Sequence, residues 1–244
     1  MKRKIILSFI AMIIMVVAYA QPANDQPTTV IERMYILPKR GMEDKMEAAI
    51  KVHDMKFHPE GPYVAALHKV EYGEKAGWYV WIYGPTTYSA IDSRPAKEGG
   101  HDADWSANVD PLIETYGSTE LRDYNPDLSY GLDIYKKSTH IEVWGVMLKR
   151  GEYYRFKAIA EKLKKTYESM GTTCFLVLDN PLHNPNSADV SLVWNFTTYA
   201  EWSKDTGTKA AYEKLYSAGS WQNMIKEWND IIRDYSAELR SIIR

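Results

Sequence analysis

Two stretches of this chain, 111 residues apart, carry one pattern. Residues 78–92 read WYVWIYGPTTYSAID and residues 189–203 read DVSLVWNFTTYAEWS, so that Thr86, Thr87 and Tyr88 correspond to Thr197, Thr198 and Tyr199. Each copy is an aromatic, β-branched run suited to a strand, then a polar step, then a helix start. The match extends further. Lys39-Arg40-Gly41 corresponds to Lys149-Arg150-Gly151, and Glu120-Leu121-Arg122 to Glu238-Leu239-Arg240. The chain is therefore a duplicated unit, and any apolar face that one copy leaves bare has a partner built on the same plan within reach.

Each copy has the same order of elements. In the first, residues 28–37 read as a strand and 42–57 as a helix with Met46, Ala49, Ile50, His53 and Phe57 on one stripe. Strands follow at 63–72 and 77–84, then helix from Tyr88, interrupted over 95–100, with Asp104 and Asp110-Pro111 as further helix starts. A fourth strand covers 118–124. Strand, helix, strand, strand, helix, strand is the ferredoxin-like unit. Residues 125–137, which contain Pro and Gly, read as a linker. The second copy repeats the order with strands at 140–148, 172–179 and 188–196. Its first helix, 152–169, carries Phe156, Ile159, Ala160, Leu163 and Tyr167 on its stripe, and its later helices hold Trp202, Tyr212, Trp221 and Trp228. That helical segment is seven residues longer than its counterpart. The expected fold is α+β: two tandem ferredoxin-like units, 28–124 and 138–244, whose sheets pack into one α/β barrel. An internal pseudo-dimer of this kind predicts a monomer.

The chain begins MKRKIILSFIAMIIMVVAYA: a basic start, an apolar run shorter than a bilayer span, and small residues before Gln21. This is the pattern of a secretory signal peptide over residues 1–20. It predicts export to the periplasm or beyond, followed by a disordered mature terminus at 21–27. Cleavage would take the formal net charge from −2 to −5. So mildly acidic a protein has no basic field for nucleic acid, and no second apolar run would hold it in a membrane. Cys174 is the sole cysteine, which precludes an internal disulfide, and its setting in TTCFLVLD predicts a buried strand residue.

The strand, Lys-Arg-Gly turn, helix, hairpin and aromatic-Thr-Thr-Tyr step together resemble the dimeric α/β-barrel superfamily. That group includes small antibiotic-biosynthesis-type monooxygenases, haem-degrading proteins, stress-responsive barrel proteins and NIPSNAP-like proteins. The resemblance covers both units and implies the fold more firmly than an activity, because the group holds enzymes and non-enzymes. In several haem-binding or monooxygenase members a His lies in the helix after the third strand. Here the comparable positions hold Arg94 and Asp205, so no haem or other cofactor is expected.

Candidate chemistry is sparse. Glu32 and Glu142 occupy matched positions in the two first strands, and the adjacent fourth strands carry Arg122 and Arg240. The favoured reading is two structural pairs, Glu32–Arg122 and Glu142–Arg240, since an unpaired buried carboxylate is costly. The alternative is an acid–base pair in a cavity. His140 shares a strand face with Glu142, and the pair could bind a metal or move a proton, although a satisfied strand-end histidine is the favoured reading. The His101-Asp102-Ala103-Asp104 run offers metal-ligand types, but its aspartates are equally explained as helix caps, and no metal is expected. His53 is the strongest site candidate, because it interrupts an apolar stripe where the second unit has Leu163. The favoured reading is a buried neutral histidine bonded to a Tyr hydroxyl or a backbone carbonyl, and the alternative is a donor or proton acceptor facing a ligand cavity. His68, Tyr79, Trp81 and Tyr83 are the residues expected to line a ligand cavity with it, and Trp144 and Trp194 could serve either core or cavity. Three functions remain open: a binding protein for a small organic ligand, a cofactor-independent monooxygenase-like or isomerase-like enzyme, and a protein-interaction module.

Overall fold

A computed structural model describes residues 27–94 and 100–243. The expected signal peptide, and the polar terminus up to residue 26, lie outside the described residues. The first unit runs β1 (Thr29–Pro38), α1 (Glu43–Phe57), β2 (Ala65–Tyr72), β3 (Tyr79–Thr87), α2 (Tyr88–Asp92), α3 (His101–Asn108) and β4 (Ile113–Tyr124). After a short helix α4 (Leu132–Tyr135), the second runs β5 (His140–Leu148), α5 (Tyr153–Met170), β6 (Leu176–Asp179), β7 (Val190–Phe196), α6 (Tyr199–Trp202), α7 (Thr208–Tyr216), α8 (Ser220–Ile231) and β8 (Ile232–Ile243).

All eight strands form one closed barrel in the order β1-β3-β2-β8-β5-β7-β6-β4. Each unit contributes four neighbouring strands, and the units join where β2 meets β8 and where β4 meets β6. Both seams are antiparallel. Closure within one chain removes every sheet edge, as the duplication predicts. Helices cover the outer face. The buried stripe of α5 (Phe156, Ile159, Ala160, Leu163 and Tyr167) packs with Val146, Leu148, Val190 and Leu192 of the sheet. Met46 and Ile50 of α1 pack with Ile36, Leu67, Tyr79 and Trp81. Full burial of each such side chain contributes about 1.5–3 kcal/mol.

The inner face carries the buried ions, and here the expected pairing is overturned. In the ladders Glu32 lies opposite Leu121 while Ile31 lies opposite Arg122, and Glu142 lies opposite Leu239 while Ile141 lies opposite Arg240. Directly opposed residues share a face, so each glutamate points to the helices and each arginine into the barrel. Arg122 instead binds Glu120, two residues away on its own strand, at 2.8 Å, and Arg33 binds the same carboxylate at 2.7 Å. Arg240 binds Glu238 at 2.6 Å and donates to the Tyr35 hydroxyl at 2.8 Å. The repeated Glu-Leu-Arg is thus an intrastrand ion pair used twice. Burial would raise the Glu120 carboxyl, but the two guanidiniums outweigh it and hold it down to about 2.

Three further expectations are refined. Residues 125–137 are not a loose tether: Leu128 is fully buried, Tyr130 bridges to Phe175, and Leu132, Ile134 and Tyr135 pack on the apolar cluster of Ile141, Val143 and Leu176. The fourth strand starts earlier than expected, at Ile113, because Asp110–Leu112 makes a single 3₁₀ turn rather than a helix. Cys174 is buried but lies just ahead of β6, and burial pushes its thiol up to about 12.

Candidate functional site

The two units present the same sheet-to-helix interface, and they fill it differently. In the second unit the wall is the outer face of β5 and β7, where Glu142, Trp144, Trp194 and Phe196 stand in adjacent register. Opposite them, the longer helical segment forms three helices, α6, α7 and α8, and α8 contributes Trp221, Met224, Ile225 and Trp228. Between these walls lies a cleft of about 470 Å³. Five of the eight tryptophans of the chain line it: Trp144, Trp194, Trp202, Trp221 and Trp228. Its principal charged group is held in place, since Glu142 accepts from the Trp144 indole at 2.7 Å and from the Trp202 indole at 2.9 Å. The Trp194 indole N–H is buried with no well-formed hydrogen bond. A concave apolar site with a few fixed polar groups is the usual form of a small-molecule site.

In the first unit the corresponding space is filled by side chains, and a smaller cavity of about 360 Å³ lies instead at the edge of α1, where Glu47, Ile50, Asp54, Leu67 and His68 line it. Trp81 takes the place of Leu192, and its indole donates to Asp54 Oδ1 at 3.1 Å. Desolvation pushes the Asp54 carboxyl up to about 6. Tyr79 is fully buried and donates to Glu47. Arg94 binds Glu32 at 2.8 Å and lies over the Tyr83 ring, 4.4 Å from its centre. Arg94 thus serves as the partner of Glu32.

His53 is fully buried, as its place on the α1 stripe predicts. It does not face an open cavity. Its Nδ1 lies 2.9 Å from Asp104 Oδ2, and its ring packs against Phe57, Trp105, His58 and His101. Burial lowers its pKa, with Asp104 opposing. His58 is also buried; burial, with His101 and His53 nearby, pushes it down to about 4. One ring nitrogen from each of His53, His58 and His101 lies within 4.8 Å of the other two.

Tyr79, Trp81 and Tyr83 share this interface with His53, but as packed core rather than as a ligand wall. His68 does not join them. It pairs with Val80 on the barrel's inner face, one register step from the Leu67–Trp81 pair, and meets the Tyr135 hydroxyl at 3.4 Å. His140 stacks on Phe196 and meets Thr139 Oγ1 at 3.0 Å rather than engaging Glu142. The caps expected at Asp102 and Asp104 are also corrected: Gly100 is the cap of α3, Asp102 binds His101 and Asp104 binds His53. Nothing in the sequence singles out His58, and His101 stands there only within a run of metal-ligand residue types, not as a companion of His53. His58 lies one residue beyond the helix, off its stripe, and His101 meets it only through the tertiary fold. The one signal available was the histidine distribution, four of six in the first unit.

A haem does not fit the second-unit cleft. No His or Cys is among its lining residues, and its only sulfur is that of Met224. An axial ligand of the usual kinds, His or Cys, is therefore missing from that wall.

No protein-family model matches the chain, and no curated protein matches it. Solved structures do. A candidate monooxygenase from Fusobacterium nucleatum superposes with a TM-score of 0.58 at 13% identity, covering 89% of this chain and 94% of that one. An anthrone oxidase-like protein gives 0.53 at 9% identity, with coverage of 90% and 93%. A mutant chlorite dismutase from Candidatus Nitrospira defluvii gives 0.53 at 8% identity, with coverage of 89% and 92%. At such identities the likeness is one of fold, and it spans both units: the described residues of this chain share the ferredoxin-like α/β-barrel architecture of those proteins.

Proposed function

We propose that this chain is an exported, monomeric small-molecule-binding barrel whose ligand is a flat, largely apolar organic molecule held in the second-unit cleft. The observation that carries this is the cleft itself: about 470 Å³ walled by five tryptophans, with the Glu142 carboxylate fixed by two of their indoles and Glu201 also on its lining. Indole faces stack on planar ligands, and Glu142 supplies one polar anchor for a hydroxyl or amine. Export is supported by the pattern of residues 1–20; the amino terminus of protein from its own host should begin at Gln21. The test of binding is tryptophan-fluorescence titration with anthrone and related polycyclic phenols, read beside native mass spectrometry of host-purified protein for a retained organic mass. Saturable quenching that Leu192→Trp abolishes is expected. Equal binding by that cleft-filling variant would overturn the reading.

A second reading, a cofactor-independent monooxygenase-like or isomerase-like enzyme, is favoured by the position of Glu142. A carboxylate on an indole-lined wall could take a proton from an acidic C–H or O–H of a bound substrate. Oxygen uptake or product formation with the same phenols, lost in Glu142→Gln while binding persists, would support it.

A further inference from the structure

The three imidazoles of the first unit pose a problem of protons. Nδ1 of His53 faces Asp104 Oδ2 at 2.9 Å, Nδ1 of His58 faces the Tyr63 carbonyl at 2.7 Å, and Nδ1 of His101 faces Asp102 Oδ1 at 2.9 Å. Carboxylate and carbonyl oxygens accept hydrogen bonds, so each Nδ1 carries the hydrogen. A neutral imidazole protonated there has a bare lone pair on Nε2. The Nε2 atoms of His58 and His101 are 3.0 Å apart, and His53 Nε2 is buried with no hydrogen-bond partner. Lone pairs gathered without a donor repel one another, and they call for an electrophile between them.

We propose that His53, His58 and His101 form a binding site for a divalent transition-metal cation of the zinc class, ligated through their three Nε2 atoms. Each Nδ1 already donates to an oxygen, which is the outer-shell arrangement that fixes the tautomer and orientation of metal-bound histidines. Tetrahedral zinc with Zn–N bonds of about 2.0–2.1 Å sets its ligand nitrogens roughly 3.4 Å apart. The Nε2 atoms of His58 and His101 are 3.0 Å apart and one ring nitrogen of each histidine lies within 4.8 Å of the others, a spread that brackets that value. An all-imidazole donor set suits zinc, copper, nickel or iron(II) and not calcium or magnesium, which take oxygen ligands. A single proton shared by His58 and His101 would satisfy two lone pairs and leave that of His53 stranded; a cation satisfies all three. Three protein ligands also leave the fourth position to water, the form of a site able to do chemistry rather than only brace the fold. The metal would tie the start of α3 to the end of α1. The site is separate from the second-unit cleft and stands whether or not that cleft binds a ligand.

The test uses the tag-free chain, stripped with chelator and titrated with Co²⁺, whose visible spectrum reports tetrahedral nitrogen coordination, and then with Zn²⁺ as competitor. One equivalent of Co²⁺ should bind and be displaced by one of Zn²⁺. His101→Ala, which removes a partly exposed side chain, should weaken binding at least about 100-fold. Asp104→Asn, which weakens the support of His53 without removing a ligand and also alters the contacts of Asp104 with Lys56 and Asn108, should weaken it by about 10- to 100-fold. His183→Ala, at an exposed loop position, should bind as the parent does. If His101→Ala does not fold, Asp104→Asn and the parent carry the test. The proposal is overturned by the lack of a saturable one-to-one phase, by unchanged affinity in His101→Ala, or by ¹⁵N imidazole spectra in which an Nε2-bound proton between His58 and His101 persists under excess Zn²⁺.

Discussion

The two units share a plan and diverge at the same interface. Where the first has Trp81, the second has Leu192; where the first has His53, the second has Leu163; where the first has Met34, the second has Trp144. In the first unit Trp81 and the short α3 close the space and three imidazoles fill its rim. In the second, the longer helical segment packs Tyr212, Met224 and Ile231 into the core, and a cleft remains beside the smaller Leu192. The difference teaches that duplication supplies the barrel once both copies agree on their strands, and thereby frees their helical faces to differ. Inside the barrel the copies also differ in degree. Glu120 neutralises two guanidiniums, whereas Glu238 serves one that keeps the Tyr35 hydroxyl as well.

That inner contrast gives the largest expected effect. Glu120→Gln strands Arg33 and Arg122, both buried, and should cost about 3–5 kcal/mol at pH 7. Glu238→Gln should cost less. Because the folded pKa of Glu120 is depressed to about 2, its contribution is fully present above the unfolded value of 4.5. It is lost as pH falls from there toward 2, so the two Glu120 forms should converge in acid. Urea denaturation across pH measures both, and equal costs for the two substitutions would break the contrast.

Next in size is the exchange at the interface centre. Trp81→Leu, which installs the second unit's residue, should destabilise by about 3 kcal/mol, since it leaves a void and removes the donor to Asp54. The converse, Leu192→Trp, should fill the cleft at a cost of about 1–3 kcal/mol and abolish ligand binding. A Leu192→Trp protein that still binds would show that the cleft is not organised around that position.

The smallest effect is expected at His53. In metal-free protein His53→Leu removes a buried imidazole with an unpartnered nitrogen, so thermal unfolding should move by no more than about 1 kcal/mol. A loss of several kcal/mol would mean that the Asp104 contact, and not the stripe, is what holds α1 to α3.

The barrel was readable from the sequence because two copies of a strand pattern confirm each other. The ion pairs were not, because pairing Glu32 with Arg122 requires register, and a one-residue error moves a side chain to the opposite face. The interruption of the α1 stripe at His53 is visible in the sequence, but the structure packs that ring against His101 and Trp105 and not on the open cavity that a ligand-facing role would require. Its companions were hidden, since His58 and His101 are brought to it by the end of one helix and the start of another, and neither lies at a helical spacing from it. The second-unit cleft was only half visible: its tryptophans could be counted, but the space between them depends on how far α8 stands from β7.

The two seams of the barrel are unequal, and this has a mechanical consequence. Between β2 and β8 the ladder runs from Leu67 opposite Ile243 to Tyr72 opposite Leu239. Between β4 and β6 it holds only Asp123 opposite Asp179 and Tyr124 opposite Leu178. One seam is a spine and the other a clasp, fastened further by Asn125 donating to Asp179 at 2.7 Å. Native-state amide exchange should therefore show the clasp releasing well before the spine, with Tyr124 and Leu178 losing protection while Lys69 and Val70 keep theirs. A cylinder that parts along one line while its opposite side stays joined gives the interior a hinged door, and the guanidinium-lined inner wall a route to water that does not require unfolding.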